Sequence, residues 1–116
     1  MSSTIRELRL SGIFDLNCSS FIDRAAAEAI KDKVGTLLLN MQDVAFMDSQ
    51  GLRILVCLLK MLKPHGIKIA VCSPSAQVKV LFEITSMYRL FEIYNSLEEL
   101  LAAKKKDTNA TQLVVA

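Results

Sequence analysis

The chain has 116 residues, 52% of them apolar, with 14 basic and 12 acidic side chains and a net charge of +2. That length suits one domain with a core of its own, and the charge balance is too even to indicate a nucleic-acid partner. Neither a secretory leader nor a membrane partner is expected: Arg6, Glu7 and Arg9 interrupt the start, and the apolar run 54–59 falls far short of the ~18 residues a membrane span requires.

Ile5, Leu8 and Leu10 among charged neighbours predict a strand over residues 4–10, broken by Ser11-Gly12. Ile13-Phe14-Asp15-Leu16 then places a carboxylate on a loop. Ser20 with Asp23 three residues on resembles a capping box. The helix it opens buries Ile22, Ala26, Ile30 and Val34 and ends at Gly35, a plausible left-handed cap. Leu37-Leu38-Leu39 lacks alternation, which suits a strand over 36–39 covered on much of its surface. Residues 40–44 read as a loop, and Ala45-Phe46-Met47 as packing beneath the turn that follows.

At Met47-Asp48-Ser49-Gln50-Gly51-Leu52 the pattern changes from strand to helix. Asp48 can accept from the free N–H groups of the first helical turn and complement its dipole. The helix is apolar around most of its circumference, with Arg53, Cys57 and Lys60 as its non-aliphatic stripe, so either the domain buries nearly all of it or some is kept for a partner. Pro64-His65-Gly66 ends it. A buried strand over 67–72, a Ser73-Pro74-Ser75 turn, a helix over 76–85 and a short edge strand over 90–94 come next. Ser96 and Glu99 form a second capping box before a last helix that ends in Lys104-Lys105-Lys106. Residues 107–116 carry little order signal. Strands alternating with helices imply an α/β domain with a mostly parallel sheet.

Three cysteines at Cys18, Cys57 and Cys72 fit no zinc template and read as packing thiols of a reducing compartment. Ser49 begins a helix at whose far end lies His65, the sole histidine, roughly 20 Å away at ~1.5 Å rise per residue, so no serine–histidine nucleophile is expected. No phosphate-binding or dinucleotide-binding glycine pattern is present, and no enzyme activity, metal or cofactor is expected. Ser49 itself admits two readings: a helix-start residue, or a phospho-acceptor. Phosphorylation there would add about −1.5 to −2 charges at a helix N-terminus, favoured by the dipole and opposed by Asp48 and Asp15.

The segment from Val44 to Leu52, after Leu37-Leu38-Leu39-Asn40-Met41, resembles the signature of STAS domains, closest to bacterial anti-sigma factor antagonists. The resemblance extends to Gly12-Ile13-Phe14-Asp15-Leu16, to Ser73-Pro74 and to residues 90–99, and covers about residues 5–103. It implies a small mixed sheet with about four helices mainly on one side, a domain over 1–104, and a tail over 105–116 that is disordered or covers a sheet edge. It further implies a cytoplasmic, non-catalytic regulator that binds an anti-sigma factor serine kinase and so frees a sigma factor. Ser49 would be the phosphorylated residue, reset by a serine phosphatase and flanked by Asp48, Asp15, Gln50 and Gly51. Leu52, Arg53, Val56 and Lys60 on the following helix would meet the partner.

Several positions depart from the family pattern. Gln50 stands where a second hydroxyl is frequent, Arg53 where a small residue often follows Gly-Leu, Ser86-Met87 where Gly-Leu is common, and Ile13-Phe14 where an acidic-apolar pair is usual. Family members usually carry a further strand before the one ending near Gly12, so an open sheet edge is expected here, covered by Leu113-Val114-Val115 or by a second subunit as a homodimer. Two other readings stand beside the antagonist: a non-phosphorylated STAS scaffold module in another signalling assembly, and a small-ligand or nucleotide sensor.

Overall fold

The computed structural model describes residues 4–107 and 112–115, with side chains through Lys104. Nine elements alternate along the chain: β1 (Thr4–Phe14), α1 (Ser19–Lys31), β2 (Thr36–Met47), α2 (Ser49–Leu62), β3 (Lys68–Cys72), α3 (Ala76–Ile84), β4 (Glu92–Tyr94), α4 (Leu97–Asp107) and β5 (Gln112–Val115). The sheet order is β4-β3-β2-β1-β5. The four described pairings are all parallel, as the alternation predicts, so the mixed sheet implied by the resemblance is not seen among them.

The unbroken Leu37-Leu38-Leu39 run has a direct cause. Successive strand side chains point to opposite faces, and both faces of β2 are covered. Leu37 and Leu39 join Leu8, Leu10, Ile69 and Val71 in the larger core beneath α1, α2 and α3. Leu38 points the other way, into a smaller core with Ile5, Ala70, Cys72 and Leu100 of α4. Three helices therefore lie on one face and α4 on the other. Three of the four alanines of α1 (Ala25, Ala26 and Ala29) are buried and let that helix approach closely, while Ala27 faces solvent.

Several boundaries differ from those expected. Ser11-Gly12 does not end β1; the strand continues to Phe14 through two register shifts against β2, each with an extra residue on β2. Gly12 takes φ +72 at the second shift, so the glycine marks an irregularity and not a stop. Residues 40–44 are strand and not loop. Asn40 is buried because it donates from Nδ2 to the carboxylate of Glu7 at 2.6 Å, while its Oδ1 accepts from Gln42 N–H at 3.0 Å. Glu7 is only 2% exposed, and Arg9 Nε lies 3.4 Å from the same carboxylate, so the buried charge is both paired and hydrogen-bonded.

Ser20 does not cap α1. A 3₁₀ turn over Leu16–Cys18 runs straight into the helix, and the side-chain cap sits a turn upstream, where Asp15 accepts from Asn17 N–H at 3.0 Å. The left-handed residue after α1 is Lys33, not Gly35. Gly35 instead links the strand starts, donating to Thr4 and accepting from Lys68, each at 3.0 Å. Ser86 keeps a left-handed backbone (φ +60) although it is not glycine. Ser96 accepts from Glu99 N–H at 3.1 Å.

The backbone of β5 lies on the outer edge of β1, with Thr4 to Glu7 opposite Gln112 to Val115. Since β4 and β5 flank opposite edges of the sheet, α4 is the crossover that carries the chain across the smaller-core face.

Candidate functional site

The site is set by where β1 and β2 end. Phe14 and Met47 are register partners at the C-terminal ends of two adjacent parallel strands, so the residues that follow them, Asp15 and Asp48, emerge side by side. This is the edge of a parallel α/β sheet at which ligand and partner sites characteristically form. Each aspartate starts a helical segment. Asp48 is the N-cap of α2, with an extended backbone and its Oδ1 accepting from Gly51 N–H at 2.9 Å.

Gly51 locks this corner. A Cβ there would collide with the carbonyl oxygen of Phe14 and lie 2.7 Å from its ring Cδ1 and 3.0 Å from Met47 Cγ. The backbone of α2 thus passes directly over the end of β1, and Asp48 N–H reaches back to the Phe14 carbonyl at 3.4 Å.

A further holder was not singled out from sequence. The Gln77 amide on α3 spans both backbone groups of Met47: Met47 N–H donates to Oε1 at 2.9 Å, and Nε2 donates to the Met47 carbonyl at 2.8 Å. β2 outruns β3, whose pairing stops at Asn40 opposite Cys72. Gln77 therefore supplies at Met47 the two hydrogen bonds a neighbouring strand would have made. A glutamine at the second position of a helix gives no such signal in a single sequence.

Held this way, Ser49 is the first residue of α2 and is exposed, as is Gln50. At 100° per residue, Ser49, Leu52, Arg53, Val56 and Lys60 share an arc of about 100°. The buried stripe of α2, Gly51, Leu55, Leu58 and Leu62, lies opposite. Ser49, Arg53 and Lys60 are exposed, and Leu52 and Val56 are half-buried along one flank. Two apolar side chains outside the expected set join this end of the molecule. Ile13 and Phe46 are register partners next to Phe14 and Met47, and they are 58% and 46% exposed. Strand alternation carried as far as Phe14 and Met47 would have pointed to both, had the strands not been ended early.

His65 lies in a 3₁₀ turn beyond the far end of the 14-residue α2, about 21 Å from Ser49 along the axis, so the two cannot form a catalytic pair. Among the described residues no group of three or more His, Cys, Asp or Glu side chains is placed to hold a metal ion, and no helix is long and apolar enough to cross a membrane. Burial pushes the Cys72 thiol above its ordinary value, which suits a packing role. Cys57 is exposed on α2.

Comparison with known proteins bears on the family and the fold. The STAS domain model matches residues 2–100. An anti-sigma F factor antagonist from Paenibacillus polymyxa is 30% identical over 98 residues, covering 80% of this chain and 84% of its own. Among solved structures, a sulfate transporter family protein from Wolinella succinogenes superposes with a TM-score of 0.80 at 13% identity, over 91% of this chain and 88% of that one. The Bacillus cell fate determinant SpoIIAA in its phosphorylated form superposes with a TM-score of 0.64 at 21% identity, over 84% and 87%. At these identities the two structures speak to the fold alone. The family match and the fold together place this chain in the STAS domain family.

Proposed function

We propose that this protein is a cytoplasmic anti-sigma factor antagonist: it binds an anti-sigma factor that is also a serine kinase, frees a sigma factor for transcription, and is switched off by phosphorylation at Ser49. The observation that carries the reading is the exposed Ser49 hydroxyl at the head of α2, on the helix face opposite the core. The 30% identity to an anti-sigma F factor antagonist supports the partner class. The protein itself catalyses nothing in this scheme. The kinase moves the terminal phosphoryl group of ATP to Ser49 Oγ, the hydroxyl proton passes to a base on the kinase, and ADP leaves. A serine phosphatase restores the hydroxyl.

The switch follows from the surroundings of Ser49. Asp48 is already engaged with Gly51 N–H and Asp15 with Asn17 N–H, so each carboxylate is fixed at its helical start. A partner seated over Ser49, Leu52, Arg53, Val56 and Lys60, with Gln50 beside them, meets a small neutral hydroxyl in the unmodified form. In the modified form it meets a hydrated dianion, and burying that charge unpaired costs several kcal/mol. At about 1.4 kcal/mol per tenfold, an ordinary micromolar contact is lost. Residues 1–104 are the domain in this reading, and residues 105–116 an extension whose strand β5 shields the edge of β1 from a second copy.

The test is intact mass after incubation with candidate serine kinases and ATP. One added phosphate that disappears in Ser49→Ala is expected. Phosphate that persists in Ser49→Ala, or none with any kinase that binds the protein, contradicts the switch and leaves a scaffold module.

A further inference from the structure

We propose that Arg53 is an intramolecular clamp for the phosphate on Ser49, so that modification withdraws a cation from the docking face as well as adding an anion to it. This rests on Ser49 as the phospho-acceptor and assigns a role to the arginine that departs from the small residue of the family pattern.

The placement comes from the helix. Ser49 and Arg53 are four residues apart on α2, both exposed, so they are neighbours on one face with Cβ atoms about 6 Å apart. The anion would lie on the N-terminal side and the cation on the C-terminal side, which is the favourable order for such a pair. A guanidinium presents a planar fork that matches two phosphate oxygens. Arg53 is available for this: among the described residues it takes part in no ion pair, whereas Arg6 and Arg9 are engaged by Asp32 and Glu7. Its own helix offers no rival, because no carboxylate occurs between Asp48 and Glu83. Asp48 itself is turned to the Gly51 N–H. The next cation on the helix, Lys60, lies about 16 Å from Ser49 along the axis, beyond the ~8 Å screening length at physiological salt.

Two different faces result. The unmodified protein shows a hydroxyl with, one turn below it, a guanidinium that takes part in no ion pair among the described residues. The modified protein shows a phosphate only part-neutralised by one guanidinium, with about −0.5 to −1 charge left for a partner to desolvate, and a partner carboxylate that used Arg53 loses its counter-charge at the same step.

The experiment uses the full chain with phosphoserine introduced at position 49 during translation, which makes it independent of any kinase. Phosphorus NMR titration at low salt reads the second ionisation of the phosphate, ordinarily near pH 6. The clamp favours the dianion, so Arg53→Met is expected to raise that pKa by about 0.2–0.4 unit. Arg53→Lys, which keeps the charge without the fork, is expected to retain part of the difference. Lys68→Met, at the opposite end of the sheet, controls for net charge and is expected to leave the pKa unchanged. Agreement of Arg53→Met with the parent within 0.1 unit, or an equal shift in Lys68→Met, overturns the clamp. Failure of every kinase to modify Ser49 would count against the proposed function without touching this result, and an absent clamp would leave the switch itself standing.

Discussion

Replacing Gly51 by alanine separates two physical effects of opposite sign. In an exposed helix interior, glycine to alanine stabilises by about 0.8–1 kcal/mol through backbone entropy alone. Gly51 is buried in the first turn of α2, and the new methyl would strike the Phe14 carbonyl oxygen while approaching Phe14 Cδ1 at 2.7 Å and Met47 Cγ at 3.0 Å. The carbonyl belongs to the last residue of β1 and cannot rotate away as a side-chain tip would. Relief requires α2 to lift from the strand by on the order of 1 Å, an overpacking strain of about 1–3 kcal/mol. The lift also breaks the Asp48 N–H contact to that carbonyl, already long at 3.4 Å. The net expectation is a loss of roughly 1–2 kcal/mol, or a fall in melting temperature of about 5–15 °C. Thermal and urea unfolding followed by circular dichroism measures it, and chemical shifts at Phe14 and Asp15 should move with it. A melting temperature equal to the parent's, or higher, would mean that helix propensity prevails and that the close approach of α2 to β1 is not as described.

Three other outcomes follow from particular contacts. Gln77→Ala leaves both Met47 backbone groups without their partner, so a loss of about 1–3 kcal/mol and faster hydrogen exchange at the Met47 amide are expected; unchanged exchange would show that water replaces the amide at no cost. Burial alone would raise the Glu92 carboxyl, but hydrogen bonds from Lys104 and Tyr94 outweigh it and hold it below its ordinary value. A depressed carboxylate stabilises above its unfolded pKa, near 4.5, and that contribution fades as pH falls through the folded value. Glu92→Gln should therefore be less stable than the parent at pH 7, by up to ~1 kcal/mol for this partly exposed pair, and the difference should shrink in urea titrations as pH falls below 4.5; a difference that stays constant on acidification would contradict the ion pair as its source. Deleting residues 108–116 removes β5 and bares the edge of β1 from Thr4 to Glu7, so a lower melting temperature and concentration-dependent association in sedimentation are expected; a monomer of unchanged stability would show that the strand shields nothing.

Much of the fold was legible because its signals are local. The 3.6-residue stripes of α1 and α2, the run at Leu37-Leu38-Leu39 and the cap at Ser96 each declare themselves within a few residues. What escaped depends on pairing between distant segments. Glu7 and Asn40 look like surface residues until β1 and β2 are in register, when each becomes the other's partner. Ser11-Gly12 reads as a break because nothing nearby shows that β2 carries extra residues to match it. The mixed sheet came from the resemblance, whereas the parallel pairings seen follow from strand–helix alternation. At the site, the Asp48-Ser49 turn was visible from the change of period. Gln77 and the exposed Ile13–Phe46 pair were not, since the first acts across thirty residues and the second needs the full length of both strands.

In the proposed switch, a neutral hydroxyl at Ser49 permits docking and a dianion forbids it. The most direct measurement is the affinity of an anti-sigma factor serine kinase for four forms of the full chain, by calorimetry at a fixed salt concentration: the parent, Ser49→Ala, Ser49→Asp and the phosphorylated protein. Ser49→Ala is expected to bind like the parent, and Ser49→Asp and the phosphorylated protein at least 100-fold more weakly, a difference of about 2.7 kcal/mol. Equal affinity for all four forms would contradict the switch.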